Sequence, residues 1–235
     1  LYCLFSSTDD LRNLPVAIKK LEEGLDHAKK SGRKETIYKM QGILHKMKSH
    51  TSATPEEAIK ELEAEISIVI SNKKDAFILE RAKKHGIDNA FIDPKKFNTK
   101  EEYDKELAKI LKEKKIDLVI LIGYMKILAP SFIKEFQWKI INIHPSLLPM
   151  FAGEMDANVH EKVKNMGLRE TGCTLHFVTE NVDEGPIIMQ KKVAVYPNDT
   201  SESIKEKVQK AEGTVLVKAI KLFSNDKIIV KKGKV

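Results

Sequence analysis

Cysteine is scarce in this chain of 235 residues: Cys3 and Cys173 are the whole supply. Two cysteines make neither a disulfide framework nor a zinc cluster. Both lie in apolar, strand-like runs, where the thiol acts as a small hydrophobe. A reducing, cytoplasmic setting is the expectation. No apolar run approaches the roughly 18 residues that a membrane helix needs, so no membrane partner is expected. No secretory signal is visible, and a start at Leu1 leaves room for residues removed upstream. His144, His160 and His176 stand too far apart to form a local zinc motif, and no metal is expected. Arginine is rare as well. Arg12, Arg33, Arg81 and Arg169 are the only ones, so the net charge of +7 comes from lysine. The lysines are spread along helical stretches and are not interleaved with aromatics, which make up only 6% of the chain. Nucleic acid is therefore not an expected partner, and a solvated lysine-rich surface accounts for the charge. No internal repeat or low-complexity tract appears.

What is present is a single sizeable domain's worth of alternating strand and helix patterns. Apolar runs at 2–5, 66–70, 90–92, 117–122, 140–144, 172–179 and 187–190 read as strands, with a short final strand at 225–230. Helical spacing is read at about 13–30, 75–84, 100–114, 155–165 and 201–223. Residues at about 32–64 read as a helical insertion, with a Met-rich face on its first helix and a capping box at Thr54-Pro55-Glu56-Glu57 on its second. That Met-rich face suits packing, and also a subunit contact in a homodimer. The alternation implies a doubly wound α/β fold with a mostly parallel sheet.

The stretch Ile140 to Pro149, IINIHPSLLP, organises the rest. In a strand Asn142 and His144 share a face, with Ile141 and Ile143 on the other. Pro145 cannot join the ladder, so the two polar side chains end the strand. In open α/β sheets ligands bind at that end. Asn offers a neutral donor and His a group that titrates near neutrality; together they suit an oxygen that is gaining charge. The alternative is that both only satisfy local backbone. Asp183, in the turn Val182–Pro186, has the ordinary alternative of bonding its own turn. His176, on a strand face, equally suits a structural histidine. Glu212 is less ordinary. The row Ile204, Val208, Glu212, Leu216, Ile220 advances by four, so an acid stands in an apolar stripe, where it is costly without a partner.

Asn142-x-His144-Pro145-Ser146-Leu147-Leu148-Pro149, followed by Asp183 and Glu212 in matching order, resembles the folate-dependent formyltransferases. Pro145 gives it the form of the branch that acts on glycinamide ribonucleotide (GAR). The resemblance implies a Rossmann-like formyltransferase fold and an enzyme of purine biosynthesis. Its co-substrate would be 10-formyltetrahydrofolate and its acceptor the amine of GAR. Asn142, His144 and Asp183 would be catalytic, with His176 a secondary candidate. The segment Tyr124, Met125, Lys126, Ile127 and Leu128 would line the folate site together with Asn142. Lys126 stands where the family commonly has Arg. Ser7, Thr8, Asn13 and Glu212 would hold the nucleotide. The family's first turn is glycine-rich, whereas Ser6–Asp10 here contains no glycine and carries Asp9 and Asp10. A formyltetrahydrofolate hydrolase, another amine formyltransferase and a non-catalytic ligand-binding relative are the rival readings.

Overall fold

The computed structural model describes the backbone of residues 2–5, together with residues 64–153, 159–231, 233 and 235. The expected helix near the N-terminus, the insertion at about 32–64, and Ser7, Thr8 and Asn13 lie outside the described residues. Strand β1 spans Tyr2–Phe5 and β2 Ile66–Ser71. Helix α1 (Phe77–Lys84), β3 (Asn89–Phe91) and α2 (Lys100–Glu113) follow. Next come β4 (Leu118–Leu121), α3 (Pro130–Glu135) and β5 (Ile140–His144). Helix α4 (Val159–Asn165), β6 (Glu170–Phe177), β7 (Ile187–Ala194) and α5 (Ser201–Ser224) complete the described chain.

Among the described residues the sheet has the order β3-β2-β1-β4-β5-β6-β7. The pairs from β3 to β5 are parallel, and β6 and β7 run antiparallel to their neighbours. This is the expected doubly wound α/β sheet. β4 explains its own position at the centre: Leu118, Val119, Ile120 and Leu121 are all at most 5% exposed, as a strand covered on both faces must be. One face, bearing Val119, Leu121 and Ile140, packs on Tyr103, Leu107 and Leu111 of α2 and Phe132 and Ile133 of α3. Helix α5 lies against the opposite face at β6, where the Phe223 and Phe177 rings meet edge to face at 5.9 Å. No helix among the described residues is long and apolar enough to cross a membrane.

Three differences from the sequence reading have local causes. Helix α3 has only six residues, too short to show a period, though Pro130 at its first turn is a start signal. β7 runs four residues past Gln190, because an edge strand can leave Lys191 and Lys192 exposed while their backbones pair with Cys173 and Gly172. The expected strand at 225–230 does not form; only an isolated bridge remains at Lys231. Closing α5 uses those residues: the Asn225 amide donates to the Lys221 carbonyl, and the Lys227 N–H to that of Leu222.

Gly172 sits where β6 meets both β7 and the loop after β5. A Cβ there would lie 2.1 Å from the Lys191 carbonyl oxygen and 2.7 Å from Leu147 Cδ2. Gly172→Ala is expected to cost about 2 kcal/mol or more, read as a lower denaturation midpoint. An unchanged midpoint would mean that the strands part to admit the methyl group.

Candidate active site

β5 ends at His144, and its register sets the site. Asn142 stands opposite His176, and His144 opposite Thr174, in the antiparallel pair with β6. Directly opposed residues point to the same face, so Asn142, His144, Thr174 and His176 project together. Leu121 of β4 pairs with Asn142, so the segment after β4 leaves the sheet beside the same site.

Asp183 closes the group. Its Oδ2 lies 3.3 Å from His144 Nδ1 and its Oδ1 3.4 Å from His176 Nε2. The Gly153 N–H donates to Oδ2 at 3.1 Å. Asp183 holds a φ of 57°, a left-handed conformation that Asp tolerates better than most residues. Two residues on, Gly185 has no room for a side chain, because a Cβ would lie 1.8 Å from the Phe177 carbonyl oxygen. The turn is thus pressed onto the end of β6, and the carboxylate is delivered to the two rings. Burial alone would raise the Asp183 carboxyl. The His176 hydrogen bond, the His144 charge and the Gly153 N–H together outweigh it and hold Asp183 below its ordinary value.

His176 links Asp183 to Asn142. Its Nδ1 is 2.9 Å from the Phe177 carbonyl oxygen, so that nitrogen carries a proton and donates. Its Nε2 is 3.2 Å from Asn142 Nδ2. With neutral Nε2 the ring accepts from the Asn142 amide. With protonated Nε2 it donates to Asp183, and the amide must turn its oxygen inward. One proton therefore sets the orientation of Asn142.

The loop after His144 is fixed by polar groups that sequence reading did not single out. Thr174 Oγ1 donates to the Ser146 carbonyl at 2.7 Å and accepts from the Leu148 N–H at 3.0 Å. Gln190 Nε2 donates to Thr174 Oγ1 at 2.9 Å and to the Leu148 carbonyl at 3.0 Å. The buried Thr174 hydroxyl is thus paired as donor and as acceptor, as a buried polar group must be. In sequence Thr174 and Gln190 look like ordinary strand polar residues.

In the segment after β4, Met125 and Ile127 are 47% and 49% exposed and Lys126 is exposed, whereas Leu128 is buried and Tyr124 packs against the core. Glu212 stands apart from the triad. It lies on α5, close enough to Cys173 that its charge, after burial, helps push that thiol up to about 12. Cys173 adjoins Thr174 in β6 and so points to the other face of the sheet. Glu212 is partly buried, and burial pushes its carboxyl up to about 7.

The family model for formyl transferases matches residues 40–220. The chain belongs to the formyl transferase family. A phosphoribosylglycinamide formyltransferase of Haemophilus influenzae is 40% identical over 171 residues, 73% of this chain and 79% of that protein. A trifunctional purine biosynthetic protein of Gallus gallus is 42% identical over 167 residues, 71% of this chain but only 16% of that protein. Among solved structures, a phosphoribosylglycinamide formyltransferase of Anaplasma phagocytophilum superposes with a TM-score of 0.69 at 37% identity, covering 79% of this chain and 87% of the other. The matched region takes in β2 to β7 and the loops that bring Asn142, His144 and Asp183 together.

Glu212 carries a pH signature. Unfolded, its carboxyl ionises near the ordinary value of 4.5; folded, it keeps its proton to about 7. Between those values the folded chain binds a proton that the unfolded chain does not. Stability therefore falls as pH rises from about 4.5 to 7 and levels off above. Glu212→Gln is expected to remove that fall, with a gain at pH 8 of at most about 3 kcal/mol and little change at pH 4.5. Parallel pH–stability curves for the two proteins would contradict it.

Proposed function

We propose that this chain transfers the formyl group of 10-formyltetrahydrofolate to the amine of glycinamide ribonucleotide in purine biosynthesis. One observation carries the reading: in a chain of the formyl transferase family, Asn142 and His144 share a strand end with the ionised Asp183. The relatives of about 40% identity named as phosphoribosylglycinamide formyltransferases supply the acceptor. The chain spans only 16% of the trifunctional relatives, so the reading concerns their formyltransferase activity alone.

The amine attacks the formyl carbon, and the carbonyl electron pair moves onto oxygen. Asn142 donates an amide N–H to that oxyanion. His144, as imidazolium, stabilises the same charge, and Asp183 favours the charged ring. Asp183 also positions a water that takes the proton from the attacking nitrogen. Collapse breaks the bond to N10 of the folate, which leaves as tetrahydrofolate once protonated. The 124–128 segment with Asn142 holds the folate. Ser7, Thr8, Asn13 and Glu212 hold the nucleotide, within a single domain over 1–235 that carries the insertion at about 32–64. A homodimer and a cytoplasmic location belong to the same reading.

The test is consumption of 10-formyltetrahydrofolate with and without GAR. Loss that requires GAR is expected. Loss without GAR would make the protein a hydrolase, which suits a first turn without glycine, and no loss in either case, with folate still bound, would favour a binding protein or another amine acceptor. Asp183→Asn is expected to lower kcat by about 100-fold or more with the folate KM little changed; equal loss of both would sink the role. Glu212→Ala should raise the KM for GAR by about tenfold and spare folate affinity. An unchanged KM would remove Glu212 from the site.

A further inference from the structure

Helix α2 carries an acid in its apolar stripe. Asp104 precedes Leu107, Ala108 and Leu111 at helical spacing and is only 2% exposed. A carboxylate there is costly unless a donor meets it. The donor is the Ala129 N–H, 2.5 Å from Asp104 Oδ2. Ala129 is the cap residue of α3, with φ −66° and ψ 145°, and its own side chain caps nothing. In a capping box a side chain from the same helix takes the cap N–H. Here a different helix supplies it.

We infer that Asp104 is a positioning residue for the formylfolate site, holding the 123–129 segment in place through the Ala129 N–H. This rests on the formyl transfer proposed above. The segment has two fixed ends and an open apex. Gly123, at φ 58°, turns the chain out of β4, and Tyr124 packs on the core beside Tyr103. Leu128 and Ala129 are 5% and 0% exposed. Met125, Lys126 and Ile127 between them face outward. Helix α3 is anchored independently by Phe132, Ile133 and Phe136 in the core. Loss of the tether therefore frees the apex without dismantling the sheet. Burial raises the Asp104 carboxyl, and the Ala129 N–H with the charges of Lys100 and Lys126 opposes that rise.

The test compares wild type, Asp104→Asn and Asp104→Leu. The readouts are equilibrium binding of tetrahydrofolate, KM for both substrates, kcat, and hydrogen exchange at the Ala129 amide. Leu fills the space but accepts nothing. It should weaken tetrahydrofolate binding and raise the formylfolate KM about tenfold, with kcat and the GAR KM unchanged and faster exchange at Ala129. Asn keeps an oxygen for the N–H and should behave as wild type. Unchanged folate affinity in the Leu variant, or an Asn variant as impaired as Leu, would overturn the assignment. So would equal losses in kcat and both KM values. Should Asp104→Leu fail to fold, Asp104→Ala removes the acceptor without adding bulk, and the same selective loss of folate affinity is expected. A wild-type chain that binds tetrahydrofolate but does not formylate GAR overturns the acceptor alone, and the tether is then read on binding.

Discussion

The site depends on one buried anion with two rings on it. Asp183 can stay ionised only because both carboxylate oxygens are met, one by His144 with the Gly153 N–H and the other by His176. Each of those partners is placed by a different part of the chain. His144 ends β5, His176 stands in β6, and Gly153 lies in the turn that follows β5. The carboxylate therefore fixes the relative positions of three segments, and any of them displaced would leave a buried charge without partners.

The sheet explains why these segments converge. Up to β5 the strands are parallel, so each loop at the carboxyl ends departs on the same side. β6 then runs antiparallel and places His176 and Thr174 directly beside Asn142 and His144. Thr174 and Gln190 hold the loop that leaves His144, while the turn at Gly185 folds Asp183 back over the strand pair. A rigid central sheet with functional groups on its connecting loops is the usual division of labour in such folds.

Much of this was legible because a few residues break local rules. Pro145 marks the end of β5 to the residue, and period two puts Asn142 and His144 on one face. The doubly wound sheet follows from the alternation of strands and helices. The resemblance implies that Asp183 partners His144, but its second partner, His176, was not readable, because antiparallel register and a left-handed turn residue are tertiary facts. Asp104 was readable in principle. It breaks an apolar helical row just as Glu212 does. β7 and the absent final strand turn on competition between edge pairing and helix closure, which composition does not rank. The first turn without glycine lies outside the described residues.

The most direct measurement is the titration of the Asp183 side-chain carboxyl by carbon NMR from pH 2 to 7. Two ring partners and one N–H stabilise the anion against burial, so its midpoint should fall below the ordinary 3.8, and stability due to this group should be lost only as pH falls through that lower value. A midpoint at or above 3.8 would mean that burial prevails, that Asp183 is not held as an anion between His144 and His176, and that the catalytic arrangement described for it is wrong.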